Sequence, residues 1–315
     1  MELVPIGSDL YACLQPDTGL GASNSGFIDR DGGLVVDTMW DLPRTQQMID
    51  LYATVNSDPA KRLINTHHNG DHCWGNQLFA EVGTEIIGHR LCAQYMEREL
   101  SPAIFVALCE GVEPDSPFAA LVAALQTFDF RDIVVTPPTT LIEGDAVVDL
   151  DGKPAHLLYV GPAHTPGDVV IHLPDDGVVF TGDILFHRCT PIGWEGTFAN
   201  WIEALKRVEA LHPEVVVPGH GPLATVDGLR GQREYLQYVL IEARESFDRG
   251  RSTLEAAQRI DLGPYSLWTE PERLVFQVDR AYREFAGIPW DQPVDTTRVF
   301  AEMATLRAQY GSVSD

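Results

Sequence analysis

The chain is 315 residues long and 44% hydrophobic, with 22 Lys and Arg against 46 Asp and Glu, a formal charge of −24. That length can bury a full core as one large or two small domains, and no apolar run reaches the ~18 residues a membrane helix needs. So acidic a surface repels nucleic acid and anionic membranes, so neither is an expected partner.

The leading Met1-Glu2-Leu3-Val4-Pro5 lacks the basic segment and apolar core of a secretory signal. The five cysteines, Cys13, Cys73, Cys92, Cys109 and Cys189, are widely spaced without a Cys-x-x-Cys, which reads as free thiols. A reducing cytoplasm is the expected location. Strand signals follow at Leu10–Leu14 and Ser25–Ile28, then a turn at Asp31-Gly32-Gly33 and a buried strand Leu34–Val36 ending at Asp37. Asp41 can cap a helix that has Pro43 in its first turn and Leu42, Thr45, Met48, Ile49 and Tyr52 at helical spacing. Arg62–Asn65 is the next strand, and residues 75–98 read as a helix, a short strand at Glu85–Ile87 and a second helix.

From about Leu100 to residue 133 the pattern changes to proline-punctuated helical pieces, read as an insertion that walls or covers a site. Strand texture resumes at Val134 and continues through Ala146–Val148, His156–Val160, Val169–Ile171 and Val178–Phe180. A helix over Asn200–Leu211 and a strand Val215–Val217 complete a layered α/β unit over residues 1–225. Residues 226–315 are helical, with a capping-box pattern at Ser252-Thr-Leu-Glu255 and a helix from Thr269 ended by Gly287.

The chemistry is concentrated in loops at strand ends. Asn65-Thr66-His67-His68-Asn69-Gly70-Asp71-His72 follows the Arg62–Asn65 strand. Gly161-Pro-Ala-His164-Thr-Pro-Gly167, Thr181-Gly-Asp183 and Pro218-Gly-His220 answer it later. Each is a His or Asp at the mouth of a buried-looking strand, bracketed by Gly or Pro, where a rigid sheet can hold ligands while leaving one side open to substrate. The four loops are expected to converge on a metal.

These four motifs, in this order, resemble the metallo-β-lactamase-fold hydrolase superfamily, closer to its thioesterase and lactonase branches than to true β-lactamases. The resemblance implies a four-layered αββα sandwich over residues 1–225, with a helical insertion at about 100–133 and the helices of 226–315 packed on it. It assigns His67 and His164 to one metal position, Asp71, His72 and His220 to a second, and Asp183 to a bridge between them. Zinc is the implied cofactor, one or two ions per chain, with iron or manganese supported by the same donors. The bound metal would activate a water to attack the carbonyl of an ester, thioester or lactone of a small metabolite, with Asp71 and Asp183 serving the reaction.

The departure is Asn69, where the family usually has a second His. Two metals with Asn69 as a ligand or as a partner of bound water, one metal at the second position, and a distorted pair all remain open. His68 is expected to point away from the cavity, since neighbouring side chains of an extended loop face opposite ways. Cys73 is read as structural, because the family's cysteine ligand falls where Asp183 stands. Asp37 resembles the carboxylate that orients a ligand histidine or the Gly70 backbone. His187, Arg188, Trp194 and Glu195, after Asp183, are candidate substrate contacts, and a homodimer through the C-terminal helices is a further expectation. An iron-dependent oxygenase or oxidoreductase, and a non-catalytic binding protein with a degenerate metal site, stand as alternatives.

Overall fold

The computed structural model describes residues 1–15, 19–98, 101–111, 113, 116 and 118–311. The expected start of the insertion at Leu100 lies outside them. Strands β1 (Glu2–Gly7), β2 (Leu10–Leu14), β3 (Ser25–Ile28), β4 (Leu34–Val36), β5 (Arg62–Ile64), β6 (Glu85–His89) and β7 (Thr140–Ile142) form one sheet in that order. Strands β8 (Ala146–Leu150), β9 (Lys153–Tyr159), β10 (Val169–Leu173), β11 (Val178–Phe186) and β12 (Val215–His220) form the other, ordered β12-β11-β10-β9-β8.

Alternation along the strands sends each sheet's residues to two faces, and both faces are apolar. Leu34, Val36 and Ile64 turn inward against Leu157, Ile171 and Phe180 of the second sheet. Val35 and Leu63 turn outward onto Met48 and Tyr52 of the Leu42–Tyr52 helix. On the far side, Val170, Val179 and Val216 pack against Trp201, Leu205 and Val208 of the Phe198–Glu209 helix and against the C-terminal helices. The layers are therefore helix, sheet, sheet, helix.

Local signals place the helices. Asp41 accepts from the Arg44 amide at 2.8 Å, Thr197 caps the Phe198–Glu209 helix, and Ser252 and Glu255 form the capping box. Two readings change. β1 adds a strand to the sequence reading; it carries Pro5 and lies at the sheet edge, where a missing amide is tolerated. Val134 to Pro138 is irregular rather than extended pairing, since Pro137 and Pro138 cannot donate to a ladder, and the sheet resumes at Thr140. The five cysteines are free thiols.

The insertion supplies helices Pro102–Gly111 and Ala119–Leu125. The C-terminal region supplies Val226–Asp248, Thr253–Ala257, Leu274–Phe285 and Thr296–Gly311. Together they flank the edge where β5, β11 and β12 end and β10 begins.

Candidate metal centre

The first loop is shaped by amides before any ligand is placed. Asn65 and Asn76 exchange side-chain bonds at 2.8 and 3.1 Å, and Asn65 also donates to the His72 carbonyl at 3.2 Å. Asp37, at φ +59 after β4, accepts from the Thr66 amide and the Thr66 hydroxyl, each at 2.7 Å, and from His72 Nδ1 at 3.0 Å. All its oxygens are thereby engaged by this loop, and its partner is His72 rather than the Gly70 backbone. Having given its proton to Asp37, the Thr66 hydroxyl accepts from His67 Nδ1 at 2.9 Å. His220 Nδ1 donates in turn to the Ala22 carbonyl at 3.1 Å.

Fixing Nδ1 as a donor on three rings turns three Nε2 lone pairs inward, the arrangement that presents imidazole to a metal. They meet Asp183. Its carboxylate lies 3.7 Å from His67 Nε2, 3.1 Å from His72 Nε2, 3.3 Å from His164 Nε2 and 3.4 Å from His220 Nε2. Two features of the chain make room for it. A register shift at Gly182, where φ is +49, re-aims the strand, and a Cβ on Gly219 would fall 1.9 Å from Asp183 Oδ1.

Two donor triads result, His67 with His164 and Asp183, and Asp71 with His72 and His220, each with one set of ligand atoms within 4.8 Å of one another. Inside this buried cluster, His67 Nε2 has no hydrogen-bond partner, a costly condition that a cation would relieve. Neutral imidazoles and carboxylates are donors for zinc, iron or manganese, so the residues fit the metal that the sequence implies.

The electrostatics divide the cluster. Burial pushes His67 well below its ordinary value and His164 down to about 4, so both are neutral at pH 7. Burial acts the same way on His72 and His220, but the nearby charges of Asp183 and Asp71 outweigh it and raise both, His220 to about 9. Their Nε2 atoms are 3.3 Å apart, and each also lies within 3.4 Å of an Asp183 oxygen. Against burial, these histidines hold Asp183 well below the carboxylate range and lower Asp71.

The remaining expected residues fall as follows. Asn69 Oδ1 lies 2.7 Å from His164 Nε2, so the amide occupies the mouth of the first triad. Asp71 and His72 sit in a single helical turn, Gly70–Cys73, and not in an extended loop; that turn brings them beside His220. Bends at Thr66 and His67 overturn the expectation for His68. It lines the cavity above the centre, its Nε2 3.6 Å from Glu195. Cys73 is buried and donates to the carbonyls of His68 and Asn69. Trp194 and Glu195 line the cavity, whereas His187 and Arg188 are not among its lining residues, and His187 Nδ1 bonds the Pro222 carbonyl at 2.9 Å.

Other supporting residues carry weaker sequence signals. Asp168 accepts from the amides of Ala163 and Thr165 and from the Thr165 hydroxyl at 2.6 Å, locking the His164 loop; burial raises it to about 7. Its position directly after Thr165-Pro-Gly167 was the available clue. Asn24 Nδ2 donates to the Pro218 and Gly221 carbonyls at 3.0 and 2.8 Å and holds the His220 loop. Val169 N donates to the Thr66 carbonyl at 2.8 Å, joining the His67 and His164 loops across the two sheets. The cavity over the centre has a volume of ≈ 720 Å³. Its floor includes Asp71, His164, Asp183 and His220, and its walls come from the insertion and the C-terminal helices.

Residues 18–220 match the family described as the metallo-beta-lactamase superfamily, and the chain belongs to that superfamily. Among curated proteins it is similar to a hydroxyacylglutathione hydrolase of Cereibacter sphaeroides, 35% identical over 222 residues, 69% of this chain and 64% of that protein. It is also similar to the 2,4-dinitroanisole O-demethylase subunit alpha of a Nocardioides species, 24% identical over 197 residues, 61% of this chain and 51% of that protein. The chain spans about half the length of the first curated relatives it matches. Among solved structures it shares its fold with a sec-alkylsulfatase from a Pseudomonas species, at TM-score 0.67 and 17% identity over 93% of this chain and 51% of that one. A metallo-beta-lactamase family protein from Thermus thermophilus matches at TM-score 0.64 and 19% identity, over 89% of this chain and 93% of that one.

Proposed function

We propose that this member of the superfamily is a metal-dependent hydrolase that cleaves an ester, thioester or lactone of a small molecule. One observation carries the reading: four imidazole Nε2 atoms converge on the buried carboxylate of Asp183 at 3.1 to 3.7 Å, on the floor of an open cavity. His67, His164 and Asp183 would hold one ion, and Asp71, His72 and His220 a second, with Asn69 beside the first. Bound there, zinc supplies Lewis acidity and an activated water.

The chain's own residues then have defined tasks. Asp37, through His72 Nδ1, keeps that ring's Nε2 facing the centre. Asp183 offsets the positive charge held by His72 and His220 and would offset that of a bound ion. Asp71, 16% exposed and therefore the carboxylate nearer the cavity, takes the proton leaving the attacking water at its Oδ2. In the net reaction a bond forms from water oxygen to the acyl carbon, the acyl C–O or C–S bond breaks, and the leaving group departs with a proton. No oxidant or reductant is consumed, which sets this reading apart from oxygenase chemistry.

The similarity to hydroxyacylglutathione hydrolases supports acyl transfer to water. The test is metal removal. Purified protein should carry one to two equivalents of transition metal, and a strong chelator should abolish hydrolysis in a screen of chromogenic esters, thioesters and lactones. Zinc or manganese should restore it. Full activity in metal-free protein would end the reading.

A further inference from the structure

Resting on the hydrolase reading, we propose that the substrate is a neutral acyl compound carrying an aromatic group, and that glutathione and coenzyme A thioesters are poor substrates. The walls include Trp40, Trp74 and Phe105, which pack on one another, and Trp194, Trp290 and Phe300. Several of these rings are fixed from behind by other rings. Trp40 and Trp74 lie 6.4 Å apart, Trp74 meets Phe105 edge-on at 5.4 Å, and Trp194 and Phe300 both pack on Phe276, at 5.9 and 5.0 Å. Such a box is preformed for a flat apolar group, and ≈ 720 Å³ admits one the size of a drug fragment or larger.

Charge argues in the same direction. Among the described lining residues the basic ones are Arg98 and Arg273. Arg273 is 2% exposed and already committed to Glu270 and to the Thr190 carbonyl at 3.3 Å. Arg98 stacks on Tyr95 at 5.3 Å. Against them stand Asp291 and a chain charge of −24. Glu195 adds no cation; burial raises it to about 8, so it meets a ligand as a neutral acid. A thiol carrying several carboxylates or phosphates would lose its hydration here with one exposed guanidinium, that of Arg98, to meet it. Trp290 and Phe300, moreover, lie beyond the family match at residues 18–220, so two of the six rings stand outside the matched superfamily domain.

The experiment holds the scissile bond constant. With zinc-loaded protein, kcat/KM for S-benzyl thioacetate should exceed that for S-acetylglutathione and for acetyl-coenzyme A by ~30-fold or more, the scale of burying one uncompensated charged group in part. Independently of activity, calorimetry on chelator-treated protein should show saturable binding of 2-naphthol and none of reduced glutathione. Trp290→Ala and Phe300→Ala should each weaken naphthol binding by ~5-fold or more, as loss of an aromatic contact does. Equal or faster cleavage of S-acetylglutathione overturns the proposal and leaves the hydrolase reading standing. Naphthol binding without hydrolysis of any acyl compound supports the apolar box and overturns the hydrolase reading, and lack of saturable naphthol binding overturns the box itself.

Discussion

Replacing Asp183 by Asn keeps the side chain's size and one oxygen but removes the charge on which four imidazoles converge at 3.1 to 3.7 Å. At an effective dielectric of ~20, a unit charge ~3.3 Å away interacts by roughly 5 kcal/mol. Rearrangement of the rings and entry of water return part of that, leaving a loss of about 3 kcal/mol at the reacting centre, or ~100-fold in kcat. The assay is turnover of a cleaved ester under saturating zinc, with metal content measured on the same sample and circular dichroism to verify the fold. Asp175→Asn is the matched control, since that acid is exposed in the Pro174–Asp176 turn and touches nothing at the centre. If Asp183→Asn turned over near-normally with metal bound, Asp183 would not serve the centre, and the assignment of four loops to one site would have to be withdrawn.

Asn69→His should raise metal stoichiometry toward two or tighten the weaker ion, because imidazole is a stronger donor than an amide oxygen at the position 2.7 Å from His164 Nε2; unchanged occupancy and affinity by titration would show that position 69 does not control the site. Asp37→Asn should lower metal affinity by ~10–100-fold, measured by chelator competition, through loss of the acceptor that orients His72. Metal-free protein should have a pH-dependent melting temperature with a definite sign. His220, raised from 6.5 to about 9, contributes stability that is complete below pH 6.5 and lost as pH rises through 9. Asp183 and Asp71, lowered from 3.8, contribute stability present above that value and lost as pH falls through their depressed range. Melting should therefore move to lower temperature between pH 7 and 10, and a flat profile there would refute the raised value of His220.

The ligand loops were legible because each is a local device. A strand end, a Gly or Pro bracket and a His or Asp lie within a few residues, so the sequence carries both the chemistry and the turn that presents it. Asp37 was legible for the same reason, as a carboxylate at a strand mouth. His68 faces the cavity because the chain already bends at Thr66 and His67, so strand parity does not reach it. The cavity walls were beyond reach for another reason: Trp40, Phe105, Trp290 and Phe300 are ordinary apolar residues until the fold places them around one space.

The Leu274–Phe285 helix makes that last point most sharply. Arg273, Gln277, Arg280 and Arg283 recur at helical spacing, which read alone suggests a solvated polar face. Instead, Arg273, Gln277 and Arg280 are at most 2% exposed. Arg273 and Gln277 donate to the carbonyls of Thr190 and Pro191 at 3.3 and 2.9 Å, Arg283 donates to that of Trp194 at 3.1 Å, and Arg280 donates to that of Ala163. One stripe thus carries the loop that supplies Trp194 and Glu195, and also the residue next to His164. Arg280 is further held between the Phe198 and Trp201 rings, at 5.7 and 4.9 Å from their centroids. The boundary near residue 225 consequently does not separate the site from the helices beyond it. The stripe positions one wall of the cavity and the His164 loop together, so a shift of this helix would alter substrate fit and metal geometry at the same time.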